Sequence, residues 1–351
     1  MRKESLRHFV CPTCRAGLTF EVVKTIEQDQ VKEGTLGCRR GLHRFAVRDF
    51  VPRFYSEDSA SSSFGFEWQQ HARTQLDSVN GMTLSEDRFY RQTRWPRDLS
   101  GQTVLEIGSG AGRFTEIALK TGALVFSIDA SRAVDVNRAN HGAAANLILC
   151  QASLYRLPFP ESYFDKVFCF GVLQHTPDVA RAFAVIAKYP RPGGELVVDL
   201  YNRDYWRNFC TPEYLLRPMT KRIPHPKLYR GIRWVVPRLL PVSTWLRHRI
   251  PRIGRQVSAL IPISNYHGLL PTDSKALIEE YSILDTFDTL SPRFIQPQRP
   301  ATVRQWFIRA GYEALEGDRN TTFSMRGRRR RDAGLCETAH GSMEPDLRQS
   351  A

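Results

Sequence analysis

Residues 104–114 read Val104-Leu105-Glu106-Ile107-Gly108-Ser109-Gly110-Ala111-Gly112-Arg113-Phe114, an acid followed by three glycines at alternate positions. Glycine at 108, 110 and 112 removes side chains where a backbone must turn sharply and approach a ligand closely. A dinucleotide fingerprint spaces its glycines G-x-G-x-x-G, the third lying over the first helical turn against a pyrophosphate. Here the pattern is E-x-G-x-G-x-G, with Glu106 two residues before the first glycine. A negative charge there is unfavourable beside a diphosphate and useful beside a cation. The ligand that suits it carries an ammonium and a sulfonium and no phosphate. Asp129 closes the apolar run Ala123 to Ile128, 17 positions after Gly112. An acid at the end of a second strand can accept both ribose hydroxyls.

A second set of residues has metal chemistry. Cys11-Pro12-Thr13-Cys14 is a C-x-x-C on a turn, and Gly37-Cys38-Arg39-Arg40-Gly41-Leu42-His43 follows after two strands' worth of chain. Cys11, Cys14, Cys38 and His43 supply the four N/S ligands of tetrahedral zinc. A closed four-ligand site is structural, and it would hold together a module of about 55 residues too small to rely on its core. A metal-free relic and a redox pair are the alternatives, the latter without the flanking βαβ pattern it needs. Cys150, Cys169 and Cys210 stand singly in or near apolar segments and read as small core residues, while Cys336 lies in a polar tail.

These groups need elements to hold them. The first glycine run reads as strand, turn and helix start, with the helix over Phe114 to Lys120. Asn146 to Cys150 is a third strand and Ser162 to Val172 a fourth, after which Leu173-Gln174-His175-Thr176-Pro177-Asp178 turns into a helix. Pro190-Arg191-Pro192-Gly193-Gly194 is a turn into a fifth strand, Glu195 to Leu200. Alternating strands and helices predict an α/β fold with a largely parallel sheet and its ligand at the strands' carboxyl ends.

Together, the glycine turn, Asp129 and the segments at 153–178 resemble motifs of the class I S-adenosylmethionine methyltransferases. The cysteine module resembles the zinc ribbon fused ahead of many bacterial ones, with Phe50-Val51-Pro52 where those usually have Gly-Ile-Pro. The resemblance implies a Rossmann-like sheet with helices on both faces, preceded by a small zinc-ribbon-like β module and carrying a helical insertion. It implies S-adenosylmethionine held by Glu106, Gly108, Ser109, Gly110, Gly112, Asp129, Ala130, Ala152, Ser153, Phe170 and Gly171. Ser153 stands where relatives have an Asp that accepts from the adenine amino group; a hydroxyl can still accept, without charge assistance. The Phe170–Gly171 backbone would lie near the methionine ammonium and His175 near the methyl group. His175 then either deprotonates the acceptor or holds its loop by backbone hydrogen bonds. The segment Ser63-Phe64-Gly65-Phe66-Glu67-Trp68-Gln69 is similar to an F-G-x-x-W stretch of the family and reads as a lid or as a linker anchor. Leu284 to Pro292 (LDTFDTLSP) is similar to a stretch following the insertion in bacterial relatives. On that likeness Asp285, Asp288 and Arg293, with Tyr201, are expected at the acceptor, the alternative being a solvated turn.

On that resemblance and on shifts in composition, the 351 residues divide into 1–56 (the ribbon), 57–98 (linker and lid helices) and 99–202 (the cofactor-binding core). A basic helical insertion or acceptor cap (203–283), the end of the core (284–325) and a disordered basic and polar tail (326–351) follow. Net charge is +14 with a pI near 9.7, which invites an acidic partner. Residues 203–255 hold thirteen Arg and Lys against Asp204 and Glu213, interleaved with aromatics such as Trp206, Phe209, Trp234 and Trp245 and broken by prolines. Several short amphipathic helices are expected there. They suit a membrane interface or lipid phosphate, a nucleic-acid backbone, or a cap whose charges are merely solvated. Neither a signal-peptide core nor a bilayer-length apolar run is present, so a cytoplasmic protein, peripheral at the inner membrane surface, is expected. The expected activity is methylation of a small-molecule, sugar or lipid-linked acceptor at oxygen or carbon. The rivals are an RNA methyltransferase, for which no N-P-P-Y-type motif is found, and a non-catalytic binding partner of the same fold.

Overall fold

The structure, a computed structural model, describes residues 1–27, 29–55, 62–205, 211–250, 253–318 and 321–331. Its strands are β1 (Leu18–Glu27), β2 (Gln30–Cys38), β3 (Arg44–Arg48), β4 (Val51–Arg53), β5 (Thr103–Ile107), β6 (Leu124–Asp129), β7 (Leu147–Gln151), β8 (Phe164–Cys169), β9 (Pro190–Tyr201), β10 (Tyr312–Gly317) and β11 (Thr322–Arg329). All of them join one sheet in the order β1-β2-β3-β4-β7-β6-β5-β8-β9-β11-β10. The strands from β7 to β9 run parallel, and β11 returns antiparallel to β9. Strand order reverses between β5 and β8, and the crevice at such a switch point is where open α/β sheets bind ligands.

The amino-terminal hairpins extend this sheet: β4 pairs with β7 through Arg53 and Gln151. Val10 donates to the Pro158 carbonyl at 2.9 Å, His8 Nδ1 meets the Tyr163 hydroxyl at 2.7 Å, and Phe9 stacks on Phe159. The first 53 residues therefore share a core with the segment that follows β7.

Period-two alternation separates the two faces of the sheet. Leu105, Ile107, Phe126, Ile128, Val167 and Cys169 pack on one side, toward α6 (Val179–Ile186) and α11 (Pro300–Arg309). Val104, Val125, Leu149, Phe168 and Val197 pack on the other, under α3 (Leu84–Thr93), α4 (Arg113–Lys120) and α5 (Ala133–His141). Two short helices, α1 (Ser62–Gln70) and α2 (Asp77–Asn80), precede β5, and α7 (Pro212–Thr220), α8 (His225–Arg249), α9 (Gly254–Ser258) and α10 (Lys275–Leu290) form the cap.

Three expectations are corrected. The cap's main helix, α8, runs 25 residues through Pro237 and Pro241. An interior proline costs about 3 kcal/mol, but Leu228, Tyr229, Ile232 and Val236 are buried with Ile283 and Phe287 of α10, and Leu239 and Leu240, between the two prolines, pack partly buried on the same cluster. Residues 284–290 belong to α10, which Ser274 caps by accepting from Leu277 N–H at 3.3 Å. β11 continues to Arg329 instead of stopping before the expected tail. Its arginines are used there: Arg326 donates to the Thr93 carbonyl at 3.0 Å and Arg329 to the Pro190 carbonyl at 2.7 Å. The rest of that tail (332–351), the linker serines 59 and 61, and Trp206 and Phe209 lie outside the described residues.

Candidate active site

At the switch point a cavity of about 440 Å³ opens between the ends of β5, β6, β7, β8 and β9, roofed by α1 and α10. The glycine turn forms one wall. Gly108 and Ser109 donate from N to the Ile128 carbonyl at 2.8 and 2.9 Å, which ties the turn to β6. Gly108 has φ +79°, and a Cβ there would meet Val172 at 2.2 Å; at Gly110 it would meet the Trp68 indole at 2.8 Å. Trp68 of α1 therefore lies directly over the turn. Asp129 Oδ2 accepts from Gly110 N at 2.9 Å, and Oδ1 accepts from Ser131 N and Oγ at 2.8 and 2.7 Å. Burial holds the Asp129 carboxyl above its ordinary range. Ala130, Ala152 and Ser153 continue the wall, and Ser153 Oγ accepts from Tyr155 N at 3.3 Å.

Phe170 and Gly171 form the opposing wall. Gly171 (φ +71°) donates from N to Asp199 Oδ1 at 2.5 Å, and Asp199 Oδ2 accepts from Arg88 at 2.5 Å and from Gln92 at 3.2 Å. The fully buried Asp199 thus fixes the turn after β8 from the neighbouring strand. His175 sits on the 3-10 turn Leu173–His175, with Phe64 and Tyr201 at ring-centroid distances of 5.0 and 5.7 Å. Its Nδ1 meets the Phe294 carbonyl at 3.0 Å. A carbonyl only accepts, so Nδ1 carries the proton and Nε2 keeps its lone pair. Burial lowers the His175 pKa to about 4.

Two residues expected at the cofactor do not line this cavity. Glu106 is 1% exposed and lies on the face of β5 opposite Leu105 and Ile107, beneath α4. Its Oε2 accepts from the hydroxyls of Thr115 and Ser127, the latter at 2.7 Å, and burial pushes its pKa up to about 7. Gly112 (φ +93°) serves packing, since a Cβ would strike Asn137 and His141 of α5 at 2.5 Å. Asp285, Asp288 and Tyr201 do line the cavity, whereas Arg293 is exposed beside the Phe294 ring and lies outside the lining.

A family described as "Methyltransferase domain" matches residues 105–198, which run from β5 to β9 and include both walls. That segment is a methyltransferase domain. Two proteins named ubiquinone biosynthesis O-methyltransferase are similar to this chain. The Thiobacillus denitrificans protein is 34% identical over 149 residues, 40% of this chain and 61% of its own length. The Rhodopseudomonas palustris protein is 30% identical over 153 residues, 40% of this chain and 60% of its own. The chain thus spans about three fifths of the length of these curated relatives. Among solved structures, an S-adenosylmethionine-dependent methyltransferase from Mesorhizobium loti aligns at a TM-score of 0.41 and 17% identity, over 70% of this chain and 98% of that one.

Other groups of the methyltransferase domain's cavity have no motif of their own. Arg88, Gln174 and Tyr266 line it, as does Glu67 of α1, which is 1% exposed. Alternation within the F-G-x-x-W helix is the only sequence signal that Glu67 offered. Outside the cavity, ligand atoms of Cys11, Cys14, Cys38 and His43 all lie within 4.8 Å of one another. Cys14 and Cys38 sulfurs are 3.2 Å apart, and Cys11 Sγ is 3.6 Å from His43 Nδ1. Two tight turns make this arrangement: Arg15 donates from N to the Cys11 carbonyl with φ +62°, and Gly41 donates to the Cys38 carbonyl with φ +70°.

Proposed function

We propose that the chain transfers a methyl group from S-adenosylmethionine to an oxygen of a small-molecule acceptor. The observation that carries this reading is one cavity with a glycine turn, a ribose-ready Asp129 and the tautomer-fixed His175 in its walls. The relatives named O-methyltransferases favour oxygen as the methylated atom.

Gly108 to Gly110 and Trp68 enclose the cofactor's middle, Asp129 accepts from the ribose hydroxyls, and Ser153 and Ala152 bound the adenine. The Phe170–Gly171 backbone, held by Asp199 through the Gly171 amide, would receive the methionine ammonium. When bound, S-adenosylmethionine supplies a methyl group on a sulfonium, whose C–S bond breaks as the new C–O bond forms. His175 stays neutral at working pH and accepts the acceptor's proton at Nε2. Its basicity is low, but an oxygen carrying both a new methyl group and its old proton is a far stronger acid than imidazolium. Much of the acceleration comes from holding the acceptor oxygen in line with the sulfonium in a site shielded by α1 and α10.

Zinc fits the Cys11, Cys14, Cys38 and His43 donor set, where it closes two turns and leaves no position for water. A contact with anionic lipid is supported by the cap. Leu215 and Met219 of α7 and Trp234 and Trp245 of α8 are 59–73% exposed among arginines and lysines. No described helix is long and apolar enough to cross a membrane.

The test is transfer of radiolabel from S-adenosylmethionine into a cell extract separated into lipid, small-molecule, RNA and protein fractions, with Asp129→Ala as control. Label in the small-molecule or lipid fraction, lost in the control, supports the reading. Label confined to RNA or protein, or none, refutes it.

A further inference from the structure

The cavity wall built by α1 and α10 is acidic although the chain carries a net charge of +14. Glu67, Asp285 and Asp288 all line it, the two aspartates keeping part of their surface open and Glu67 fully buried. None of the three forms a salt bridge among the described residues. The cations nearby are otherwise engaged. Arg88 is bound to Asp199, and Arg217 donates to the carbonyls of Thr289 and Pro292 while acting on Asp288 only through its field. Arg113 donates to Ser85 and Gln75. Tyr266 and Ser264 hydrogen-bond Asp285, and Tyr201, Tyr214 and Glu213 complete the titratable surroundings.

Two further observations point to a missing partner. Glu67 Oε2 has no hydrogen-bond partner, and neither does Oε1 or Nε2 of Gln174, which is 0% exposed and lines the same cavity. Buried polar atoms are almost always paired in native proteins, and leaving them unpaired is costly. Carboxylates and amide atoms left this way around a cavity are completed by a ligand that brings donors and positive charge. A metal ion does not suit, because the described residues bring three or more His, Cys, Asp or Glu donors to metal-binding spacing only at the Cys11 cluster. A protonated amine suits: it is small, offers several N–H donors, and compensates carboxylates in a medium where charges interact strongly.

We propose that the acceptor carries a protonated amino group, seated against Glu67, Asp285 and Asp288 with Gln174 as a further hydrogen-bond partner, which orients a separate oxygen for methylation. This rests on the methyl-transfer reading above. The amine is not itself methylated; it anchors the acceptor, and its charge answers the three carboxylates.

The test uses the full chain, radiolabelled S-adenosylmethionine and a small-molecule cell extract, either untreated or first acetylated with an amine-selective reagent that is then quenched. The labelled product, resolved from cofactor by chromatography, is expected to fall at least tenfold with the acetylated extract. Glu67→Gln and Asp288→Asn are expected to lower the rate at subsaturating untreated extract at least tenfold, with affinity for S-adenosylhomocysteine within twofold of wild type. That affinity also reports that the variants are folded. Equal labelling of acetylated and untreated extract overturns the proposal. So does a tenfold loss of S-adenosylhomocysteine affinity in both variants with their melting temperatures unchanged, which would give the carboxylates to the cofactor. No label from wild type in any fraction removes the methyl-transfer reading itself, a failure distinct from the other two.

Discussion

Arg15, in the turn between Cys11 and the first strand, donates from Nη1 to the Leu157 carbonyl at 2.9 Å and from Nη2 to the Phe159 carbonyl. Leu157 and Phe159 belong to the loop that begins with Ala152 and Ser153 in the cofactor cavity. The turn that carries Cys11 and Cys14 is thereby tied to the loop that continues from the cavity wall. Removing zinc from the loaded protein with a chelator is expected to weaken S-adenosylhomocysteine binding three- to tenfold and to lower the melting temperature. Arg15→Ala, which leaves all four ligands in place, should weaken binding similarly while retaining zinc. Calorimetric titration and metal analysis check both, and undiminished affinity in the metal-free protein would separate the two sites.

His175 makes a hydrogen bond that an Asn side chain can imitate and has a second nitrogen that Asn lacks. His175→Asn is expected to lower kcat by 10²–10⁴-fold with KM little changed. A residue that only held its loop would lose less than tenfold in this variant. Because burial lowers the His175 pKa to about 4, the wild-type rate should fall only as pH drops toward that value. Initial rates between pH 4.5 and 9 read both effects.

Glu106 titrates in the folded state near 7, against 4.5 ordinarily, because it is buried. The folded protein therefore holds this proton more tightly than the unfolded chain, so its contribution to stability is present below about 4.5 and lost as pH rises through about 7. Glu106→Gln cannot lose a proton and escapes that loss. Between pH 5 and pH 8 the variant should gain on wild type by about 2.5 kcal/mol, read as urea midpoints at the two pH values. Its S-adenosylhomocysteine affinity should stay within threefold of wild type, since Glu106 does not line the cavity.

What was legible in the sequence divides along a physical line. The glycine turn and Asp129 are visible in the sequence because backbone conformation and strand ends are local properties, whereas Gly171 is reached only through the family resemblance. Alternating strands and helices are enough to predict a largely parallel sheet, because they admit few topologies; the order of its strands comes from the structure. Glu106 reads as a cofactor residue because its spacing from Gly108 is visible, whereas the side of β5 it faces depends on what packs beneath it. Shifting parity by one residue exchanges cavity and core. Asp199, Gln174 and Glu67 carry no motif, and their roles arise only where β9, the turn after β8 and α1 converge. The two prolines of α8 read as breaks because the burial that outweighs them comes from α10, some 40 residues later.

Asp199 binds the Gly171 amide with one oxygen and Arg88 and Gln92 with the other, and it is 0% exposed. Truncating Asp199 leaves the Gly171 amide unpaired and Arg88, a quarter exposed, partly able to reach water, at a cost of about 1–3 kcal/mol rather than that of a fully buried pair. Asp199→Ala is expected to lose that much stability and to release the Gly171 turn, weakening S-adenosylhomocysteine binding at least tenfold. Asp199→Asn keeps an acceptor for Gly171 and should lose less of both. Urea unfolding and calorimetric titration of the two variants distinguish a clamp on the turn from a merely structural charge.

The cap prediction turns on geometry. Trp234 is 62% exposed with the Arg238 guanidinium 4.3 Å over its ring, and Trp245 is 59% exposed eleven residues further along α8. Eleven residues are close to three helical turns, so both indoles project from nearly the same side of the helix. Indole and arginine together suit the headgroup region of an anionic bilayer. The full chain should co-sediment with vesicles containing phosphatidylglycerol and not with pure phosphatidylcholine. Salt should weaken the binding because the attraction is screened. The double variant Trp234→Ala/Trp245→Ala should bind at least fivefold more weakly while retaining S-adenosylhomocysteine affinity. Equal binding to both vesicle types, or an unaffected double variant, would return the basic face to the role of a solvated cap.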